Sequence, residues 1–346
     1  MKIVVLCGGL STERNISLIS GTKVCMALRA RGHKAVLVDM FMGLEEGAED
    51  PAALFEDLPG IMPRSFDGTA PDLEQVRASR KGDDPSMIGP GVIEICRAAD
   101  VVFMALHGAN GEDGRIQAVF DLLGVPYTGS GYVGAAIAMD KIRTKDMVSA
   151  RGVRTPAWKT YDKKETPVED IIADIKAPCV VKTPGGGSSL GVYIVKDQSE
   201  VEGAVRDCLQ YSRHLLVEEL IEGREFTCAV LNHRALPSVE IAPLQGGYDY
   251  SNKYVAGATR EICPGRCTPE VEKEMGDMAL QVHKILGLHT YSRSDFMVTA
   301  DNRVYFLEVN TLPGMTPTSL VPQEAAAVGI GYEDLCELIV KGAFDR

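Results

Sequence analysis

No run of apolar residues in this 346-residue chain approaches the ~18 needed to cross a bilayer, so nothing in it reads as a membrane helix. The opening Met1-Lys2-Ile3-Val4-Val5-Leu6 is too short for a secretory signal and runs into a glycine turn, which makes it a first β-strand. Clustered positive charge is also missing. With 36 Lys and Arg against 48 Asp and Glu, the formal charge is −12, and a polyanion such as nucleic acid finds no basic tract to neutralise it. The nine cysteines include no CxxC pair, and their number is odd. Cys263 and Cys267 are separated by three residues without a second pair or a His cluster, so neither a disulfide framework nor a zinc site is expected. The reading is of reduced thiols in a cytoplasmic protein. There is no Walker A motif, no internal repeat and no low-complexity tract.

What is present is an ordinary globular composition, 45% hydrophobic and 24% charged, at a length that suits two or three domains. Residues 2–6, 14–31 and 35–38 read as a βαβ unit. Its helix carries Ile16, Ile19, Val24, Ala27 and Leu28 near the 3.6 period and stops at Gly32. Residues 43–90 lack sustained periodicity and read as a long, partly helical excursion over the surface. Strand-like 101–106, a helix ending at Gly124 and a short strand at 125–128 continue the alternation, which predicts a doubly wound parallel sheet over 1–130. Helical segments and two strands flanking a glycine loop fill 131–216. The remainder, 217–346, reads mainly as strands, with one long helix at 269–286 and two closing helices. The fold class is α/β shading into α+β.

The most informative chemistry lies in Arg293-Ser294-Asp295-Phe296 and Leu307-Glu308-Val309-Asn310. Both segments read as strands, and a two-residue step keeps Glu308 and Asn310 on one face. An antiparallel neighbour brings Asp295 beside them. Converging carboxylates without a partner are costly, and a hard cation with phosphate oxygens removes that cost. Upstream, Lys182-Thr183-Pro184-Gly185-Gly186-Gly187-Ser188-Ser189 ends one strand in glycines and hydroxyls, a cradle for phosphate. Glu13, after Gly8-Gly9 on the first strand, and His107, on a second glycine-rich loop, sit at the strand ends where ligands bind in such sheets. Gly246 to Tyr254 interleaves tyrosines with polar residues and suits a water-excluding lid. Gly129-Ser130-Gly131-Tyr132-Val133-Gly134 matches GxGxxG and suggests a nicotinamide-dependent dehydrogenase. It lies far from the first βαβ unit and lacks the acidic residue that would hold a ribose, so it is read as turn glycines opening a helix.

Taken together, GGLSTERNISLISG, ALHGANGEDG, PYTGSG, AMDKIRTK, VVKTPGGGSSLG, YDYSNKY, SRSDF and FLEVNTLPGMTPTSLVP resemble the D-alanine–D-alanine ligases of the ATP-grasp superfamily, in order along nearly the whole chain. The resemblance implies an N-terminal domain (1–130), a central ATP-grasp subdomain (131–216) and a C-terminal one (217–346), with ATP held between the last two. It implies Lys141 and Lys182 on the phosphates, together with Ser188 and Ser189, Glu218, Glu219 and Ile221 around the adenine, and Glu225 on the ribose. Asp295, Glu308 and Asn310 would ligate two Mg²⁺ (or Mn²⁺). The reaction implied is formation of an acylphosphate on one D-alanine and its capture by the amine of a second, for peptidoglycan precursors. Arg293 and backbone amides near Gly314 suit the transferred phosphoryl group and the oxyanion. Glu13 and His107 suit the first D-alanine, and Ser319, Leu320 and Lys253 the carboxylate of the second. Ser188 and Tyr254 would join the glycine loop and lid to Glu13. A cytoplasmic homodimer is the family expectation. D-Serine or D-lactate as second substrate, and a non-catalytic ATP-grasp binding protein, are the remaining alternatives.

Overall fold

The structure is a computed structural model that describes residues 1–44, 50–62, 71–82, 84–186, 191–243 and 259–345. Its first part contains β1 (Lys2–Cys7), α1 (Arg14–Ala30), β2 (Lys34–Asp39), α2 (Leu73–Ser79), α3 (Val92–Ala98), β3 (Val101–Met104) and α4 (Arg115–Leu123). The strands form a parallel sheet in the order β2-β1-β3. Parallel strands covered on both faces need continuous apolar runs, and Ile3 to Leu6 and Val101 to Met104 are fully buried. Helix α1 crosses β1 closely because Gly21 lacks a side chain: a Cβ there would stand 2.5 Å from Cys7 Cβ.

The chain then builds α5 (Tyr132–Met139), α6 (Lys141–Ser149), β4 (Trp158–Asp162), α7 (Val168–Asp174), β5 (Cys179–Lys182), β6 (Val192–Val195), α8 (Val201–Tyr211) and β7 (His214–Glu219). Its sheet is antiparallel, ordered β4-β7-β5-β6, with α8 packed on β5. A third, antiparallel sheet follows, made of β8 (Arg224–Leu231), β9 (Arg234–Ala235), β10 (Val239–Pro243) and β11 (Thr259–Ile262). After the long helix α9 (Pro269–Ile285) it is completed by β12 (Tyr291–Val298) and β13 (Val304–Asn310). The order is β11-β10-β8-β12-β13, with β9 on β8, and α9 covers the apolar face of β8, β12 and β13. Helices α10 (Leu320–Ala327) and α11 (Tyr332–Gly342) close the chain.

Spatial units and sequence segments do not coincide. Strand β7 runs across the expected 216/217 division and, among the described residues, pairs only with β4 and β5. Ala138 and Val148, from α5 and α6, belong to the apolar cluster of the third sheet. Helix α11 returns to the first sheet: Leu335, Cys336, Ile339 and Val340 share its core, and Arg31 bonds Asp334 and Glu337 at 2.5 and 2.8 Å. The 43–90 excursion also contributes to that core through Phe55, which is fully buried on a short 3₁₀ turn, Pro51–Phe55. All nine cysteines are free thiols, and no helix among the described residues is long and apolar enough to cross a membrane.

Because Phe55 is the fully buried apolar anchor of this segment in the parallel-sheet core, with Leu54, Leu58 and Ile88 packed partly against it, Phe55→Ala is expected to cost about 3–5 kcal/mol of stability in urea unfolding. A loss below about 1 kcal/mol would mean the excursion is energetically detached.

Candidate active site

The site begins with an irregularity. Arg293 pairs with Asn310 and Asp295 with Glu308, but Phe296 already pairs with Phe306, so Leu307 is the extra residue of a β-bulge. The bulge turns Leu307 and Glu308 to the same side of β13 while Val304, Phe306 and Val309 stay in the core. It thereby sets two carboxylates side by side, and cations offset their repulsion. The Arg293 guanidinium grips Asp295 with two bonds, 2.8 and 2.9 Å, and the Asn310 amide donates to Asp295 Oδ2 at 3.2 Å. Lys141, the first residue of α6, lies 3.1 Å from Glu308 and donates to the Gly186 carbonyl at 3.0 Å. Burial pushes Lys141 down, but Glu308, with Glu218 and Glu13 behind it, outweighs burial, and the ammonium is held above its ordinary range.

A cleft of about 210 Å³ runs from this hairpin to the second sheet, lined by Lys141, Lys182, Glu218, Ile221, Asp295 and Glu308. Glu219 and Glu225 also border it. Lys182 Nζ is 2.6 Å from Glu218 Oε2, and Glu218 Oε1 faces Lys145 at 2.8 Å without hydrogen-bond alignment. Lys145, also bonded to Thr155 and the Pro156 carbonyl, is completely buried; burial, opposed by Glu218, lowers it to about 8. Sequence reasoning missed Lys145. Its place four residues after Lys141, one turn along α6, was the available signal. Ser188 and Ser189 lie outside the described residues, but the neck of their loop is closed by Thr183 N–H to Gly191 O at 3.0 Å.

A second cavity, about 490 Å³, opens between the first and third sheets against Glu13, His107, Glu112, Arg293, Gly314 and Ser319, with Leu320 at its rim. A pocket of about 30 Å³ lies beside Glu13, Lys141, Gly186, Glu308 and Asn310, and Glu308 lines all three spaces. His107 does not offer a free ring nitrogen. Its Nδ1 donates to the Leu312 carbonyl at 2.8 Å, so Nε2 accepts from Ser20 Oγ at 3.2 Å. Burial lowers the imidazole below its ordinary range, in keeping with this neutral tautomer. Ser319 Oγ is likewise engaged, accepting from Thr316 N at 3.0 Å and contacting Thr316 Oγ1 at 2.8 Å. Lys253 and Tyr254, with the rest of the expected lid, fall outside the described residues.

Glu112, which sequence reading quoted but gave no role, joins the two walls. It accepts from Gly108 N at 2.8 Å and from Leu312 N at 3.0 Å. The GxGxxG segment does structural work: Gly131 caps α5, and a side chain at Gly134 would meet the Leu286 carbonyl at 2.9 Å. Among the described residues no three His, Cys, Asp or Glu gather to hold a metal by themselves. Two carboxylates and an amide oxygen, reached from a lysine-lined cleft, fit a hard cation that brings phosphate oxygens with it. Asn310 now turns its NH₂ to Asp295, and rotating that amide presents its oxygen instead.

Comparison with known proteins matches two family descriptions, D-ala D-ala ligase N-terminus over residues 2–130 and D-ala D-ala ligase C-terminus over 147–341. The chain is 42% identical over 347 residues to a D-alanine–D-alanine ligase of Pediococcus pentosaceus, covering 99% of this chain and 97% of the relative. It is 40% identical over 343 residues to the enzyme of that name from Lacticaseibacillus casei, covering 99% and 95%. The solved structure of D-alanine–D-alanine ligase from Bacillus anthracis complexed with ATP superposes with a TM-score of 0.73 at 27% identity, covering 100% of this chain and 98% of that one. The VanG D-Ala:D-Ser ligase of Enterococcus faecalis gives 0.74 at 28%, covering 99% of each.

Burial, then the neighbouring charge of Glu13, pushes Glu112 up to about 8, while its two amide donors pull it down. The unfolded chain releases that proton near 4.5. Across the interval the native state binds more protons, so this residue makes stability fall as pH rises from about 5 to 8. Glu112→Gln is expected to flatten that slope in urea unfolding at a series of pH values; an unchanged slope would contradict the assignment.

Proposed function

The chain belongs to the D-alanine–D-alanine ligase family, an ATP-grasp enzyme joining two D-alanine molecules at the expense of ATP, and we propose that its two main cavities divide that reaction at Glu308. ATP occupies the 210 Å³ cleft, with its adenine along Glu218, Glu219 and Ile221 and its ribose at Glu225. Its phosphates lie toward Lys141, Lys182 and the Ser188-Ser189 loop. The D-alanines occupy the 490 Å³ cavity. Asp295, Glu308 and Asn310 would hold two Mg²⁺, for which Mn²⁺ can substitute, and the metal supplies charge neutralisation between the phosphates.

Phosphoryl transfer is mostly positioning and charge stabilisation, so the protein's task is to aim the first D-alanine carboxylate at the γ-phosphorus. Glu13 attracts the ammonium of that substrate. His107 acts one step back, by fixing the Leu312 carbonyl. Transfer yields an acylphosphate and ADP. The amine of the second D-alanine attacks the acyl carbon, and phosphate leaves from the tetrahedral intermediate. Ser319 and Leu320, at the start of α10, with Lys253, receive the second carboxylate, where the helix dipole favours an anion. Closure of the glycine loop and lid through Ser188, Tyr254 and Glu13 keeps water from the acylphosphate.

The observation that carries this reading is the state of the 312–316 backbone. Leu312 N is taken by Glu112, Met315 N by Ser20 at 3.4 Å and Thr316 N by Ser319. Pro313 has no N–H, and among the described residues Gly314 N–H has no hydrogen-bond partner. It is a fixed donor left open in the wall that also carries Arg293. Together these groups suit the oxyanion, and such a donor is worth about 2.7–4 kcal/mol of barrier.

D-Alanine as second substrate is supported by the 40–42% identity to D-alanine–D-alanine ligases over nearly the whole chain, whereas the solved D-alanine–D-alanine and D-Ala:D-Ser ligases stand level at 27% and 28%. A cytoplasmic homodimer accords with the family. Three lobes remain the working division, 1–130, 131–216 and 217–346, with the second boundary moved past Glu219 so that β7 stays whole in the middle one.

With ATP, Mg²⁺ and D-alanine the protein is expected to release phosphate and form the dipeptide. Asp295→Asn and Glu308→Gln should each lower that rate by on the order of 100-fold or more with an unchanged circular dichroism spectrum. Full activity in either variant would sink the metal assignment, and phosphate release that is independent of D-alanine would sink the ligase reading.

A further inference from the structure

Strand β8 has a gap on its outer edge. Val230 and Leu231 pair with β9, and Glu225 to Thr227 pair with β10. Between them the chain passes through Leu236-Pro237-Ser238, which among the described residues returns one backbone bond to β8, Leu236 N–H to Ala229 O at 2.8 Å, while the Leu236 carbonyl accepts from Cys228 Sγ at 3.3 Å. The Ala229 N–H, facing this break in the ladder, donates instead to a side chain from a different element, Glu324 Oε2 of α10, at 2.6 Å. An unpaired buried amide is costly, so this contact satisfies a defect in the sheet.

Glu324 has no accessible surface, and its Oε1 has no hydrogen-bond partner among the described residues. Its neighbours along α10, Val321, Pro322 and Ala325, are buried and apolar. Burial drives its carboxyl well above the ordinary range; the Ala229 amide and Arg293 oppose the shift, and Asp295 and Glu272 add to it. For packing alone an apolar side chain is the cheaper occupant. What the carboxyl adds is direction. Ala229 is the register partner of Arg293 on β12, and the helix holding Glu324 starts at Ser319 and Leu320. The adjacent Gln323 bonds the Thr318 carbonyl at 2.8 Å and reaches Glu261 on β11, so the first turns of α10 are tied to the sheet at two successive residues.

We propose that Glu324 is a positioning residue for the second substrate: its hydrogen bond to Ala229 sets the start of α10, where the acceptor carboxylate docks, relative to Arg293. The inference rests on the ligase reading above. Glu324 touches no substrate, and its effect is confined to the acceptor side of the reaction.

The test compares Glu324→Gln, which keeps an acceptor of the same shape, with Glu324→Leu, which fills the volume without one. Hydrogen exchange at the Ala229 amide reads the contact directly, without turnover. Steady-state kinetics give separate KM values for ATP, the donor D-alanine and the acceptor D-alanine. Glu324→Leu is expected to lose protection at Ala229 and to raise the acceptor KM roughly tenfold, with ATP and donor KM within about twofold. Glu324→Gln should stay near wild type in both. Should Glu324→Leu fail to fold, Glu324→Asp, whose shorter side chain withdraws the acceptor, should show the same selective rise. The proposal is overturned by an unchanged acceptor KM, by equal losses in all three KM values, or by Gln behaving like Leu. Wild-type phosphate release independent of D-alanine would instead defeat the ligase reading, while the exchange result would still report the contact.

Discussion

Two carboxylates that face each other across adjacent strands are the constraint around which the site is built. Directly registered side chains sit roughly 4.5–5.5 Å apart at Cβ, a separation at which like charges repel unless cations intervene. Here Arg293 and Lys141 supply that neutralisation from two directions, one along β12 and one from α6. The Leu307 bulge brings Glu308 to the side of Asp295 without removing Phe306 and Val309 from the core. Each neighbouring space then inherits its character from this pair, because Glu308 borders all three.

The cations that a nucleotide needs are already engaged with protein anions. Lys182 is bound to Glu218, Lys141 to Glu308 and Arg293 to Asp295. On the proposed reading ligand binding is an exchange of partners, in which phosphates and metal would take over contacts that the protein makes with itself. The cleft lies between two sheets, with the Lys182–Glu218 pair on one wall and Asp295 and Glu308 on the other. Desolvated charge pairs of this kind contribute little net stability, and their value lies in holding geometry ready.

Much of this was legible in the sequence, for reasons that can be named. Parallel strands buried on both faces left unbroken apolar runs at Ile3–Leu6 and Val101–Met104, and α1 left a clear 3.6 periodicity. Asp295, Glu308 and Asn310 stood out because strand alternation places charge where apolar residues flank it. What escaped has a common cause, in that it depends on contacts between distant segments. The bulge at Leu307 has no signature beyond two consecutive residues turned the same way. His107 looked like a substrate contact, but both ring nitrogens serve Leu312 and Ser20. Glu112, Lys145 and Glu324 are met by the loop after β13, by β7 and by β8, all from elsewhere in the chain. The return of α11 to the first sheet, and of α5 and α6 to the third, cannot be read from segment boundaries.

The central claim is that the Asp295–Glu308 pair becomes a metal site when a nucleotide supplies the remaining oxygen ligands. Electron paramagnetic resonance of Mn²⁺ titrated into the protein, with and without a non-hydrolysable ATP analogue, tests it directly. The account predicts weak binding by the protein alone and tight binding of two ions per chain once the analogue is present, with paramagnetic broadening of the protein's amide NMR signals centred on the β12–β13 hairpin. Equal Mn²⁺ affinity with and without nucleotide, or broadening centred away from that hairpin, would contradict it.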